Sequence, residues 1–321
     1  MRDARIIHLA QVCVDLTLSV DHLPERGGDV FATGQGISAG GGYNVLYAAR
    51  QMGAPTTYMG ALGTGPMADI ARAALEKIGV DFEGAVLPDV DTGYSVAMTE
   101  PSGERTFVST RGAETMVPVD YYENIDLIDG DVVYLCGYSL VHASNAEAIR
   151  RFARRHAGWA NGRVLFDTSP VIGDIASDDL ERVRMLDPIW SANEREAGVL
   201  CQRFGLRSEG LSDERRCAEL AGYLHDLVIV RVGPQGAWYC DGRNDSAVSA
   251  ALIPAPHVEP VDTNGAGDCH AGVLCAALLE GRGLPESLLL ANRAAALSTT
   301  ASGPATCPPR ALVLAGGGQG E

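Results

Sequence analysis

The sequence predicts an α/β protein built on a mostly parallel central sheet with helices on both faces. Three observations carry that prediction. Short β-branched runs alternate with helix-length segments along most of the chain, the pattern of strands joined by crossover helices. The chain has 321 residues, 46% of them hydrophobic, enough to cover both faces of such a sheet. Two hairpin-like stretches interrupt the alternation and point to a small extra sheet.

Taken in order, residues 5–12 read as a first strand ending at Cys13-Val14-Asp15. Residues 16–31 alternate and are punctuated by Leu23-Pro24-Glu25-Arg26-Gly27-Gly28, the signature of a hairpin. Residues 34–42 are dense in glycine and precede a helix expected over 43–53, which Gly53 closes. Further strands are expected at 56–60, 132–136, 164–167, 188–191 and 227–232. Helices are expected near 66–79, 143–157, 193–203, 212–226, 265–280 and 284–301. A second hairpin occupies 92–109, turning at Pro101-Ser102-Gly103-Glu104. One domain over 1–314 is expected, with the extra-sheet segments near 16–38 and 92–111. The glycine-rich tail from Ala315 to Glu321 is expected to be disordered.

Composition excludes several functions. A net charge of −16 opposes a nucleic-acid surface, which needs basic stripes. No apolar run is long enough to span a membrane, and the N-terminus lacks a signal peptide's apolar region, so the cytoplasm is the expected compartment. The eight cysteines are scattered without metal spacing and read as reduced core thiols. Lys77 is the only lysine and lies outside any glycine loop, so neither a Walker A loop nor a protein-kinase strand lysine is available. No Gly-x-Gly-x-x-Gly follows the first strand, which argues against a nicotinamide dehydrogenase.

The chemistry concentrates in Asp262-Thr263-Asn264-Gly265-Ala266-Gly267-Asp268, which leads into a long apolar run without proline. Such a loop opening a buried helix gathers unpaired amides and the positive end of the helix dipole, an anion site. A carboxylate there would repel a bound phosphate. Asp268 fits if it takes a proton from a hydroxyl while the amides of Gly265, Ala266 and Gly267 hold a transferring phosphoryl group. The alternative is an Asp that only complements the helix dipole.

This stretch resembles the C-terminal signature of the ribokinase-like (PfkB) family of small-molecule kinases, and other motifs extend the resemblance over most of the chain. The resemblance implies a ribokinase-like fold with a β-sheet lid that can also form a dimer contact. It implies ATP as phosphate donor, Mg²⁺, and a small sugar or nucleoside as acceptor. Asp15, with Asp21-His22-Leu23-Pro24 behind it, resembles the opening motif whose Asp holds a sugar hydroxyl; a turn-forming Asp is the bland reading. Ala39-Gly40-Gly41-Gly42-Tyr43-Asn44 resembles the N-terminal signature, with the first family glycine replaced by Ala39. Gly40, Gly42 and Asn44 carry over as substrate contacts. Asn193-Glu194-Arg195-Glu196 resembles the motif that organises Mg²⁺ through its waters, assigning Asn193 and Glu196; a solvated helix start is the alternative. Arg231, Gly233 and Gly236 resemble the nucleotide-contacting strand-loop, with Arg231 available to an ATP phosphate or else a surface residue. Asn292 is the candidate nucleotide contact on the adenine-side helix. The loop at Asp262 is where many members hold a monovalent cation, which makes K⁺ a candidate. His270 is expected to be structural.

The acceptor stays open between a sugar, a sugar phosphate and a nucleoside. Arg26, Arg105 and Arg111 could serve a substrate phosphate. Gly137-Tyr138-Ser139 replaces an acidic sugar contact of some members, and Tyr43 and Phe31 could stack on a ring. A catalytically silent sugar- or nucleotide-binding regulator is the rival from another class.

Overall fold

The computed structural model describes residues 2–243 and 249–315. The expected disordered tail therefore lies, beyond Ala315, outside the described residues. In chain order, β1 (Ile6–His8), β2 (Val12–Ser19) and β3 (Gly34–Gly41) precede α1 (Gly42–Gln51). Next come β4 (Thr56–Tyr58), α2 (Pro66–Lys77), β5 (Asp81–Phe82), β6 (Tyr94–Thr99) and β7 (Arg105–Ser109). Then follow β8 (Val132–Cys136), α3 (Ala143–Arg155), β9 (Arg163–Asp167), α4 (Ser177–Arg184), β10 (Ile189–Asn193) and α5 (Glu194–Arg203). The C-terminal part holds α6 (Asp213–Leu224), β11 (Leu227–Arg231), β12 (Gly236–Asp241), β13 (Ala251–Pro254), α7 (Ala266–Leu279), α8 (Leu284–Ser298) and α9 (Arg310–Leu314).

The main sheet has the order β13-β12-β11-β10-β9-β8-β1-β4-β5, parallel from β11 through β5 and antiparallel at β12 and β13. Its strands alternate between two cores with the period of two that a pleated strand imposes. Ile7, Val133 and Leu135 point into the layer of α3, α4, α5 and α6. Ile6, Val132 and Tyr134 point into the layer of α1, α7 and α8. Burying each large aliphatic side chain there contributes about 1.5–3 kcal/mol. Parallel strands buried on both faces explain the near-continuous apolar runs in the sequence.

The second sheet has the order β3-β2-β6-β7. The two expected hairpins do pair with each other, through the parallel β2–β6 contact. Register sorts this sheet into two faces. Leu16, Ile37, Val96 and Val108 stand in one cross-strand row, while Asp15, Ser38, Ser95 and Ser109 form the neighbouring row on the opposite face.

Three expectations need correction. The strand expected over 5–12 is two strands in two sheets, because the chain breaks at Leu9–Gln11, where Gln11 gives its carbonyl to the amide of Gly42. Asp15 consequently sits within β2 and not at the end of the first strand. The hairpin read over 16–31 is wider than its pattern, because the glycine-dense segment forms β3, the partner of β2. Gly40 pairs with Cys13 on the face of Asp15, and a Cβ there would lie 2.0 Å from Asp15 Oδ2, so any side chain would displace that carboxylate. Helices α4 and α9 and strands β5, β12 and β13 were not expected; they are short or flanked by turns, and periodicity needs length to show.

Candidate active site

Helix α7 starts at Gly265, whose φ of +74° suits glycine, and a Cβ there would clash with Pro304 O at 2.1 Å. Ala266, Gly267 and Asp268 are its first three helical residues; the Ala266 amide donates to Thr263 O at 3.3 Å, and no side chain caps the start. Gly272, one turn further, lets α1 approach closely: its Cβ would stand 2.3 Å from Val45 O. The close packing brings Asn44 of α1 to Asp268, and Asn44 Nδ2 donates to Asp268 Oδ2 at 3.0 Å.

Burial pushes the Asp268 carboxyl up to about 6. The Asn44 amide and Arg231 oppose that rise, while the negative charges of Asp167 and Asp15 add to it. Burial likewise raises Asp15 above its ordinary value. Gly42, at the start of α1, sits against His8, and any side chain would strike the ring. Asp15, Gly40, Asn44 and Asp268 thus meet at the junction of the small sheet with α1 and α7. Gly42 is part of the same junction but faces the core.

On the other side of the α7 start lies a cavity of about 820 Å³. Asn193, Arg231, Gly233, Gly236, Ala266, Gly267 and Asn292 all border it. The structure therefore gathers the expected nucleotide-side residues around one space, except Glu196, which does not line it. Gly233 and Gly236, at φ +54° and +113°, make the tight β11–β12 turn.

Side-chain roles on this wall differ from the sequence expectation. Arg231 is not a free surface residue: its Nη1 lies 2.7 Å from Asp167 Oδ2 and its Nη2 3.6 Å from Glu196 Oε2, while it still borders the cavity. Asn193 and Glu196 form a capping box on α5. Glu196 accepts from Asn193 N, Asn193 Nδ2 and Thr168 Oγ1, at 2.9, 2.9 and 3.0 Å, and is only 2% exposed. A carboxylate so fully engaged is held rigid, which leaves the expected contact with Mg²⁺ as one made through water. Asn292 is also engaged, donating to Ile253 O at 2.8 Å and facing His270 Nε2 at 3.2 Å. Burial pushes His270 down to about 3, so it is neutral, and it too borders the cavity.

Asp262 carries a further surprise. Its carboxylate accepts from Arg105 Nη2 at 2.8 Å, Asn264 N at 2.9 Å and Gly303 N at 3.0 Å. Those N–H donors stand where a monovalent cation was expected, so its side chain does not fit that role in this arrangement. Of the proposed stacking residues, Tyr43 is buried against Tyr47 and Phe31 is 91% exposed.

Asp167 was missed, although a carboxylate ending a parallel strand is a standard ligand position. Glu114 was also missed. It is buried and accepts from Gly93 N at 2.6 Å and Gly112 N at 2.9 Å, pinning both roots of the second hairpin. No sequence signal marked it.

A parallel α/β sheet with a helix start beside a raised carboxylate and an adjoining cavity is the arrangement that phosphoryl transfer to a small molecule needs. The chain belongs to the pfkB family of carbohydrate kinases: the pfkB family carbohydrate kinase model matches residues 4–311. It is 30% identical over 307 residues to the uncharacterized sugar kinase YegV of Escherichia coli (strain K12), covering 94% of this chain and 90% of the relative. It is 28% identical to the ATP-dependent ribose-1-phosphate kinase of Halopiger xanaduensis, over 97% of both chains. Its fold matches that of Arabidopsis thaliana ribokinase complexed with ribose and ATP, with a TM-score of 0.78, 22% identity and 98% of each chain covered.

Proposed function

We propose that this protein transfers the γ-phosphoryl group of ATP to a hydroxyl of a small sugar. Asp268 is the general base, and the amides of Gly265, Ala266 and Gly267 receive the charge that develops on the phosphoryl oxygens. The observation that carries the reading is the position of Asp268. It stands between the Asp15–Asn44 junction, suited to a hydroxylated acceptor, and the 820 Å³ cavity, suited to a nucleotide. Asn44 orients the Asp268 carboxylate through Oδ2.

Mg²⁺ enters as the metal of the Mg·ATP substrate and offsets phosphate charge. Asn193, Glu196, Asp167 and Arg231 act as a rigid wall around it. Gly233, Gly236 and Asn292 shape the nucleotide side. Catalysis is then positioning plus electrostatics, as phosphoryl transfer requires. The small sheet serves as the lid, with its Asp15 face toward the acceptor.

A free sugar is favoured over a sugar phosphate because the lid's Arg105 is already paired with Asp262 of the transfer loop. The likeness to a ribose-1-phosphate kinase keeps the phosphorylated acceptor as the second reading. The test is ADP release from Mg·ATP against sugars, sugar phosphates and nucleosides, with Asp268→Asn alongside. The variant should lose about three or more powers of ten in kcat yet bind ATP normally. Near-wild-type turnover in Asp268→Asn would sink the base assignment. Ligand binding without ADP release in the wild type would establish a silent regulator instead.

A further inference from the structure

The Arg105–Asp262 ion pair joins residues 157 positions apart, one on the edge strand of the small sheet and the other at the root of the transfer loop. Asp262 is only 12% exposed and Arg105 27%, so the pair is shielded far better than a surface salt bridge. The same carboxylate holds Asn264 N and Gly303 N. Burial raises the Asp262 carboxyl, but the two amides and the guanidinium together hold it below its ordinary value. Three segments are therefore knitted at one point: the edge of the small sheet, the loop into α7, and the loop after α8. The last two also touch directly at Gly265 and Pro304. The start of α7, and with it the direction of its open amides, is set by this knot.

We propose that Arg105 is a positioning residue, a built-in cation that fixes the 262–267 loop and ties the small sheet over the acceptor. It does there the work for which a bound monovalent ion was expected. The catalytic part of this inference rests on the kinase reading above; the structural part does not. Arg105 touches no reacting atom, so its loss acts through the loop. Removing Arg105 leaves Asp262 with only its two backbone amides, a loss equivalent to about tenfold in an equilibrium.

The test has two arms. In the first, turnover of Mg·ATP with an accepted sugar is compared in potassium and in tetramethylammonium buffers for wild type, Arg105→Gln and Arg105→Lys. Wild type should change less than about twofold between buffers, and Arg105→Gln should lose about tenfold in kcat with KM for ATP nearly unchanged. Potassium or millimolar guanidinium should restore part of that loss, and Arg105→Lys should keep most activity. A wild-type enzyme that needs potassium, or an Arg105→Gln variant with full kcat, overturns the proposal. In the second arm, amide hydrogen exchange over 262–267 and 300–304 is followed without any substrate. Exchange about tenfold faster in Arg105→Gln supports the tie, and unchanged exchange overturns it. Failure of the kinase reading would show separately, as absent turnover in wild type, and would leave the exchange arm to decide.

Discussion

Asp268 is an ionised group in a place that disfavours ionisation, and this can be read in both activity and stability. Its carboxyl is pushed up to about 6 by burial, with Asn44 opposing and Asp167 adding. A base works only when deprotonated, so kcat/KM should fall tenfold per pH unit below about 6 and level off above it. A flat profile down to pH 5 would remove Asp268 from that role. The sign for stability runs the other way. A carboxyl with a raised folded value binds its proton more tightly in the folded chain, so its cost is fully felt above about pH 6 and disappears below the ordinary value of 3.8. Asp268→Asn should therefore melt a few degrees higher than wild type at pH 8 and gain nothing near pH 3.5, by calorimetry at both pH values. Asp268 and Asn44 were legible because each lies in a local motif. The true partners of Arg231, 64 positions away in Asp167, and of Asp262, 157 positions away in Arg105, were not. Local pattern names a residue type; only the fold says which charge meets it.

At the scale of elements, the site depends on how closely α1 and α7 approach. Gly272 is the point of contact, and the backbone oxygen of Val45 cannot yield as a flexible side chain could. Gly272→Val should destabilise the protein by about 1–3 kcal/mol through overpacking. It should also lower kcat by about tenfold, because α1 carries Asn44 and any outward shift lengthens its bond to Asp268. Denaturant unfolding and steady-state kinetics on one preparation check both; a variant with wild-type kcat would mean the Asn44 contact is dispensable. The central strands β8, β9, β10 and β11 were readable almost to the residue, since strands buried on both faces are continuous apolar runs. β1 and β2 were fused because Leu9 and Ala10 are apolar even where the chain leaves one sheet for the other. β3 was hidden because glycine and serine carry no strand propensity. It pairs there because Asp15 needs an empty neighbour at Gly40 and the backbone supplies the ladder.

For the whole molecule, the small sheet poses the remaining question, because only one of its faces is used by the site. The other carries the cross-strand row Leu16, Ile37, Val96 and Val108, with Ile37 63% and Val108 59% exposed. An open apolar sheet face of this kind is a liability unless something covers it. A second copy of the chain, laid face to face, is the occupant we propose, consistent with the dimer contact implied by the family resemblance. Each chain has a net charge of −16, so two copies repel over distance and the apolar row must supply the attraction. Two consequences separate this from an accidental patch. Association should tighten as salt rises from about 0.02 to 0.5 M, because screening weakens the repulsion while burial of the row is retained. Ile37→Glu with Val108→Glu should give monomers at concentrations where the wild type is dimeric, measured by light scattering after size exclusion. Neither residue belongs to the Asp15 face, so the monomer should still bind ATP. A wild type that stays monomeric at high salt and tens of micromolar would refute the dimer. A double variant that remains dimeric would place the contact elsewhere on the molecule.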